Sequence, residues 1–337
     1  MAAVVTVVYT LALIFVLCVM RWQGERFWVS SLLIYLPPQI WLLPLGVLVP
    51  VAVATKRSLL IPQFICVVFV TWWFAGWQMK SNPKPNGSVI TVVTNNIGQS
   101  NHQSMAPFLE LTKPDVLVVQ DAVSRLAWYR RTYPDRYCAA AGEFITVSRF
   151  PISSYHLVDR PQWRGPLAAV FYIEWPGHPF ALYSVHLPTP RPDFERIRGR
   201  GFLASVVRSG GIPFMQIRQY SDSMKMIVQT AEAFCDVLAS EKEPAIIAGD
   251  FNMPSCGALH TLFASKLTDA FLAAGQGFGF TFPGFTHDPL TLFGPWLRID
   301  YLFCNAAWTP VTCVTEPHRA SQHRAVAATF LWNGNGH

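Results

Sequence analysis

Apolar and polar positions divide the chain into two regimes. In the first, Ala2 to Met20, Phe27 to Thr55 and Ser58 to Met79 are three runs without one charged residue. Runs of about 20 apolar residues are long enough to cross a bilayer. The middle run is interrupted by Pro37, Pro38, Pro44 and Pro50, which predicts a kinked or re-entrant segment at Pro37-Pro38. The third ends in Trp72, Trp73, Phe74 and Trp77, and such aromatics suit the membrane–water interface. Three transmembrane helices are therefore expected over residues 1–80. A cleaved signal peptide competes for the first run, but no basic residue precedes Leu11 and two further spans follow. A soluble helical core is the other alternative, and short basic joints between the uncharged runs argue against it.

The second regime begins after Ser81 to Ser88, a polar linker rich in Pro, Asn and Gly. Val89 to Thr94, Val116 to Val119, Ala168 to Trp175, Phe180 to Val185, Ala245 to Ala248, Arg298 to Phe303 and Val326 to Leu331 are short β-branched or apolar runs that read as strands, and Phe144 to Val147 reads as an edge strand. Pro176-Gly177-His178-Pro179 joins two of them as a hairpin. A helical spacing around Phe108 and Leu111 separates the first two strands, and Met224, Ile227, Ala231, Phe234 and Leu238 mark a longer helix from Gln219. One large α/β domain is expected over residues 89–333.

Composition supports the division. Hydrophobic residues make up 51 %, charged ones only 14 %, and mean hydropathy is +0.28, an excess that points to membrane segments. Arg21, Arg26, Lys80 and Lys84 fall on one side of the three spans and Lys56 and Arg57 on the other. That count favours a cytoplasmic domain, although Lys56-Arg57 alone also looks cytoplasmic. The seven cysteines lie singly, two of them in the apolar runs. No spacing suggests a zinc site, and the odd number argues against a full disulfide framework. A formal net charge of +6 and a pI near 9.0 suit phosphate-bearing partners, lipid or nucleic acid. Nothing in the sequence points to a protein partner.

What changes the picture is how the strands end. Ala245-Ile246-Ile247-Ala248 leads into Gly249-Asp250-Phe251-Asn252, where a group able to accept a proton sits beside one that orients without titrating. Taken alone, this tetrapeptide is also an ordinary strand-to-turn junction. Yet Asn96, Asp121, His186, Asp300 and His323 likewise fall at or beside strand ends, where open sheets carry their chemistry. Isolated histidines such as His102, His178, His260 and His287 are more often packed or surface residues. The basic stretch from Arg191 to Arg208 is by default a solvated loop. Its interleaved Phe202, Leu203, Val206 and Val207 also suit an anionic lipid surface.

In this order and with these flanks, the chain from about Val89 to Leu331 resembles the endonuclease/exonuclease/phosphatase superfamily, the deoxyribonuclease-like fold, as a membrane-anchored bacterial-type member. The residues that carry the resemblance are Gly249-Asp250-Phe251-Asn252, Ile299-Asp300-Tyr301, Ser148-Arg149-Phe150-Pro151-Ile152, Ser184-Val185-His186-Leu187 and Ser321-Gln322-His323-Arg324. It implies a four-layer α/β/β/α sandwich preceded by the three transmembrane helices. It also implies a Mg²⁺ ion, or Mn²⁺, on Asn96 and Asp121. By the same resemblance His186, Asp250, Asn252, Asp300 and His323 are catalytic: Asp250 acts on the attacking water, Asn252 holds the phosphate, and Asp300 holds His323. Arg149 and Gln322 are expected to bind substrate. Two positions depart from the family: Asp121 stands where Glu is usual, and Gln322 where Asp is usual.

Three readings of function follow. The first is a membrane-anchored, divalent-metal-dependent phosphoester hydrolase, a phosphodiesterase or phosphatase acting on a lipid headgroup. The second is a nuclease of the same fold. The third, motivated by Gln322, is a degenerate non-catalytic binding member. Tethered relatives with three spans imply by resemblance an outward-facing domain, so an integral membrane protein with an extracytoplasmic domain is expected against the charge count.

Overall fold

The structure is a computed structural model and describes residues 1–81, 85–98, 103–159, 165–192, 214–284 and 294–334. The chain forms two compact units: Met1–Trp77 with Thr189–Gln229 and Pro254–Leu262, and Gln78–Pro188 with Thr230–Met253 and Phe263–His337. In the first, the apolar runs form helices α1 (Ala2–Trp22), α2 (Trp28–Leu33), α3 (Leu45–Thr55) and α4 (Leu60–Phe69). The middle run breaks at Pro37-Pro38, as the prolines dictate, and resumes as a 3₁₀ turn, Pro38–Leu42, before α3. Three helical stretches, Ala2–Trp22, Pro38–Thr55 and Arg57–Phe74, are long and apolar enough to cross a membrane. Their mutual contacts are partly polar: the Gln63 amide Nε2 donates to Thr6 Oγ1 at 3.3 Å and to the Leu48 carbonyl at 3.2 Å, tying all three together. In the turn after α1, buried Glu25 accepts hydrogen bonds from the backbone N–H groups of Ala258 (2.9 Å) and Leu259 (3.1 Å), closing the N-terminus of a later helix.

The second unit is built on strands β1 (Gln78–Met79), β2 (Val89–Asn96), β3 (Val116–Gln120), β4 (Tyr137–Ala141), β5 (Phe144–Ser148), β6 (Ile152–Val158), β7 (Ala168–Ile173), β8 (Phe180–His186), β9 (Ala245–Asp250), β10 (Thr268–Asp269), β11 (Gln276–Gly277), β12 (Asp300–Cys304), β13 (Trp308–Thr315) and β14 (Val326–Trp332). Two six-stranded sheets run in the orders β13-β14-β2-β3-β5-β4 and β10-β12-β9-β8-β7-β6, while β1 pairs with β11. Among the described pairs of strands, only β2–β3 and β8–β9 are parallel. The expected edge strand from Phe144 is interior; Ala-rich β4 covers it.

Alternation along each strand decides what faces what. Ile90 and Val92 of β2, Val116 and Val118 of β3, Phe180 and Leu182 of β8, Ile246 and Ala248 of β9, and Leu302 and Cys304 of β12 form one core between the sheets. The intervening Val93, Leu117, Val119, Ile145 and Val147 face outward under Phe108 of α5 (Ala106–Thr112) and Tyr129 of α6 (Leu126–Thr132). On the other outer face Phe251 and Phe303 meet Phe263 of a helix spanning Ala258–Lys266. Helix, sheet, sheet, helix is therefore the layering, as expected.

A longer helix spans Phe214–Ala239. The basic residues Arg196 to Arg208, with His102 and His287, lie outside the described residues.

Candidate active site

The last inward-facing residue of each central strand is polar. Phe180, Leu182 and Ser184 lead to His186; Ile246 and Ala248 lead to Asp250; Ile90, Val92 and Thr94 lead to Asn96; Val116 and Val118 lead to Gln120. Register brings these ends level. His186 pairs with Asp250 across the parallel β8–β9 contact, and Asp300, the first residue of antiparallel β12, pairs with Asp250 from the other side. Gly249 makes this approach possible: its φ is +152°, and a Cβ there would overlap the Val185 carbonyl.

Three groups converge on one oxygen. Asn96 Nδ2 donates to Asp250 Oδ2 at 3.0 Å, and the Nε2 atoms of His186 and His323 each lie 3.8 Å from that same oxygen. The other oxygen, Oδ1, accepts from the Asn252 backbone N–H at 2.9 Å, a local turn that holds Asn252 at a φ of +51°. Asn252 Nδ2 donates to the Leu187 carbonyl at 2.8 Å. Behind each imidazole stands a carboxylate: Asp300 is 3.0 Å from His323 Nδ1, and Glu143 is 2.9 Å from His186 Nδ1. The Phe282 ring lies 4.9 Å from that of His323.

Electrostatics follow from burial and pairing. Burial raises the pKa of Asp250, and the neighbouring Asp300 adds to this, against the opposing pull of His323 and His186. For His186 burial works against the imidazolium, but the Glu143 hydrogen bond and the charges of Asp250 and Glu143 outweigh it, so the pKa rises above the ordinary histidine value. His186 thus keeps a donatable proton to higher pH, beside a carboxylate that is reluctant to ionise. That is an acid–base pair.

Asp121 follows β3 on a backbone with φ +55°. A Cβ added at Gly98 would overlap its carboxylate and come within 3.0 Å of Asn96 Oδ1, so the two oxygen-bearing groups share the space that this glycine leaves open. Oxygen donors in such a cradle fit a hard divalent cation. One ligand atom each from buried Asp250, Asp300 and His323 also lie within 4.8 Å of one another, near enough to share an ion.

Asn96, His186, Asp250, Asn252, Asp300 and His323 are thus brought together, with Asp121 joined through Asn96. Gln322 is nearly buried, and its carbonyl accepts from the Gly284 N–H at 2.6 Å. Arg149 is not brought there. Ser148 pairs with Val116, the start of β3, whereas Gln120 ends it, and Arg149 forms an ion pair with Asp115 at 2.8 Å. Glu143 carries no strand-end signal in the sequence, because it sits in a turn, Gly142-Glu143, between Ala-rich β4 and β5. Gln120, the residue before Asp121, donates from Nε2 to Ser184 Oγ at 3.0 Å, bridging the two sheets.

Two sheets packed face to face, with paired carboxylates and imidazoles at one end, define a phosphoesterase-type fold. The chain belongs to the Endonuclease/Exonuclease/phosphatase family, whose model matches residues 96–323. None of the curated proteins compared with it matches. Solved structures similar to it include a 3′ phosphatase from Neisseria bound to product DNA hairpin, at 15 % identity over 72 % of this chain and 100 % of that one, with a TM-score of 0.48. A family protein from Bacteroides thetaiotaomicron is 15 % identical over 74 % of this chain and 97 % of its own, TM-score 0.48. A humanized D. rerio TDP2 is 13 % identical over 72 % and 98 %, TM-score 0.48.

Proposed function

We propose that this chain is a membrane-anchored, divalent-metal-dependent hydrolase of phosphoesters, with a substrate presented at the bilayer such as a lipid headgroup. The observation that carries the reading is the meeting of Asn96, His186 and His323 at one oxygen of Asp250, beside the Asn96–Asp121 oxygen pair. Asp250, fixed by Asn96 and the Asn252 backbone, takes the proton of the attacking water. His323, steadied by Asp300, donates to the phosphoryl oxygens where charge develops. His186, whose pKa Glu143 and Asp250 raise, supplies the proton for the leaving oxygen. Asn96 and Asp121 would hold a divalent cation such as Mg²⁺, which would neutralise phosphate charge. The bilayer enters through the three apolar helices. An outward-facing domain is part of the proposal, and a topology reporter fused after His337 tests it.

A nuclease of the same fold is the second reading, favoured by the net charge of +6. The test is the full-length protein in nanodiscs with Mg²⁺, Mn²⁺ or EDTA, offered headgroup-labelled phospholipid, a nitrophenyl phosphodiester and plasmid DNA. Metal-dependent lipid hydrolysis is expected; DNA nicking without it moves the assignment to the nuclease. Asp250→Asn and His323→Ala each lower kcat by about 1,000-fold with the fold intact. Wild-type rates in either variant would remove the mechanism.

A further inference from the structure

β2 ends in two asparagines whose side chains leave on opposite faces of the sheet. Asn96 reaches inward to Asp250. Asn95, wholly buried, points the other way: its Oδ1 accepts from Arg319 Nη2 at 2.7 Å, and its Nδ2 donates to the His323 carbonyl at 3.4 Å. Arg319 is itself buried. Its Nε donates to both carboxylate oxygens of Glu316 at 2.9 Å, and its Nη2 reaches the His323 carbonyl at 3.2 Å. Glu316 closes the figure by accepting from the Ala325 N–H at 3.0 Å, while its own N–H donates to the Ala325 carbonyl.

The segment from Glu316 to Ala325, which carries Ser321-Gln322-His323, is therefore drawn into a ring and fastened to β2. Closing a loop does not need a buried ion pair, since apolar packing of equal volume does it at no desolvation cost. What apolar packing cannot do is fix the height of one backbone carbonyl against one strand end. The polar groups here are spent on the carbonyl of His323 and on the immediate neighbour of Asn96. One strand end thus sets two distances, Asn96 to Asp250 and Asn95 to His323.

We propose that Asn95, Arg319 and Glu316 are positioning residues that reference the His323 imidazole to Asp250 and so set the 3.8 Å separation between His323 Nε2 and Asp250 Oδ2. None of the three touches the reacting atoms. The kinetic part of the inference rests on the phosphoester reading; the geometric part does not.

Two substitutions at one position separate positioning from bulk. Asn95→Leu keeps the volume and loses both polar atoms, whereas Asn95→Asp keeps the oxygen that receives Arg319. Full-length protein is assayed with Mg²⁺ and a nitrophenyl phosphodiester. In parallel, the ring resonance of His323, identified by its loss in His323→Ala, is followed in histidine-labelled protein without metal. Asn95→Leu is expected to lower kcat about 100-fold with KM within about twofold, and to move the His323 resonance. Asn95→Asp, which keeps the Arg319 contact but loses the donor to the His323 carbonyl, is expected to lose less, with kcat down about tenfold and a smaller displacement of the resonance. If Asn95→Leu does not fold, the charge-neutral pair Glu316→Gln with Arg319→Gln must show the same loss and the same displacement. A folded Asn95→Leu with wild-type kcat and an unmoved resonance overturns the inference, as does an Asn95→Asp damaged as badly as Asn95→Leu. Wild-type protein that hydrolyses no phosphoester ends the functional reading instead, and the resonance still decides the positioning.

Discussion

Glu143 shows how much a single side chain can alter without touching substrate. Its hydrogen bond and charge hold the His186 pKa above the ordinary value against burial. A leaving-group acid works only while protonated, so the rate falls as pH rises through that pKa. Glu143→Gln removes this charge and leaves only that of Asp250 to oppose burial; the alkaline limb of the pH–rate profile then moves to lower pH, and a profile that stays put disproves the pairing's role. Gly98 is the second such residue. Its missing Cβ leaves room for the Asp121 carboxylate beside Asn96, so Gly98→Ala is expected to weaken Mn²⁺ binding by about tenfold. Calorimetric titration of the folded variant measures this without any assay of turnover. Sequence alone exposed Asp250 and His186 because both end strands whose inner faces turn from apolar to polar. It could not expose Asn95, whose partner Arg319 lies 224 positions away, nor Glu143 in its hairpin turn.

At the scale of elements, strands with strong alternation or β-branched runs were legible and the others were not. β4 is Ala-rich, β6 is mostly exposed, and β13 carries Pro310 and a register shift; each lacks the inward apolar series that marks β2, β8 and β9. Helix boundaries in the apolar region followed the prolines. The turn after α1 adds something composition did not foretell: burial lifts the Glu25 carboxyl to about 7 from its ordinary 4.5, against the hydrogen bonds from Leu259 and Ala258 and the charge of Arg26. A carboxyl whose folded pKa is raised binds its proton more tightly when folded, so stability falls as pH rises from 4.5 to about 7 and is level above. Glu25→Gln keeps the acceptor for both N–H groups and removes this slope. Thermal unfolding in nanodiscs is expected to match wild type at acidic pH. Above neutral pH the variant should be the more stable, by on the order of 3 kcal/mol. A variant as sensitive to pH as wild type would place the titration elsewhere.

For the whole molecule, the proposed anchorage and the proposed chemistry would bear on each other through access. If the site serves lipids of the bilayer that holds it, reconstituted protein hydrolyses headgroups of its own vesicles far faster than those of added, protein-free vesicles, because tethering raises the local concentration by orders of magnitude. A soluble nitrophenyl phosphodiester shows no such preference. Equal rates on host and added vesicles would detach the substrate from the anchor. The layering and the family were legible because many separated segments agree on them. The substrate was not, because the basic stretch from Arg191 to Arg208 has a periodicity that spells neither helix nor strand and a composition that suits more than one phosphate-bearing ligand.

Gly249 has a consequence for recognising other chains of this kind. Any side chain there would wedge against the Val185 carbonyl and pry two neighbouring strands apart just below the site. A descendant that kept the acid, the amide and both imidazoles but gained even a methyl group at this point would hold the right parts too far apart to act in concert. A side chain at this one position would therefore disable the site while leaving every one of its polar residues in place.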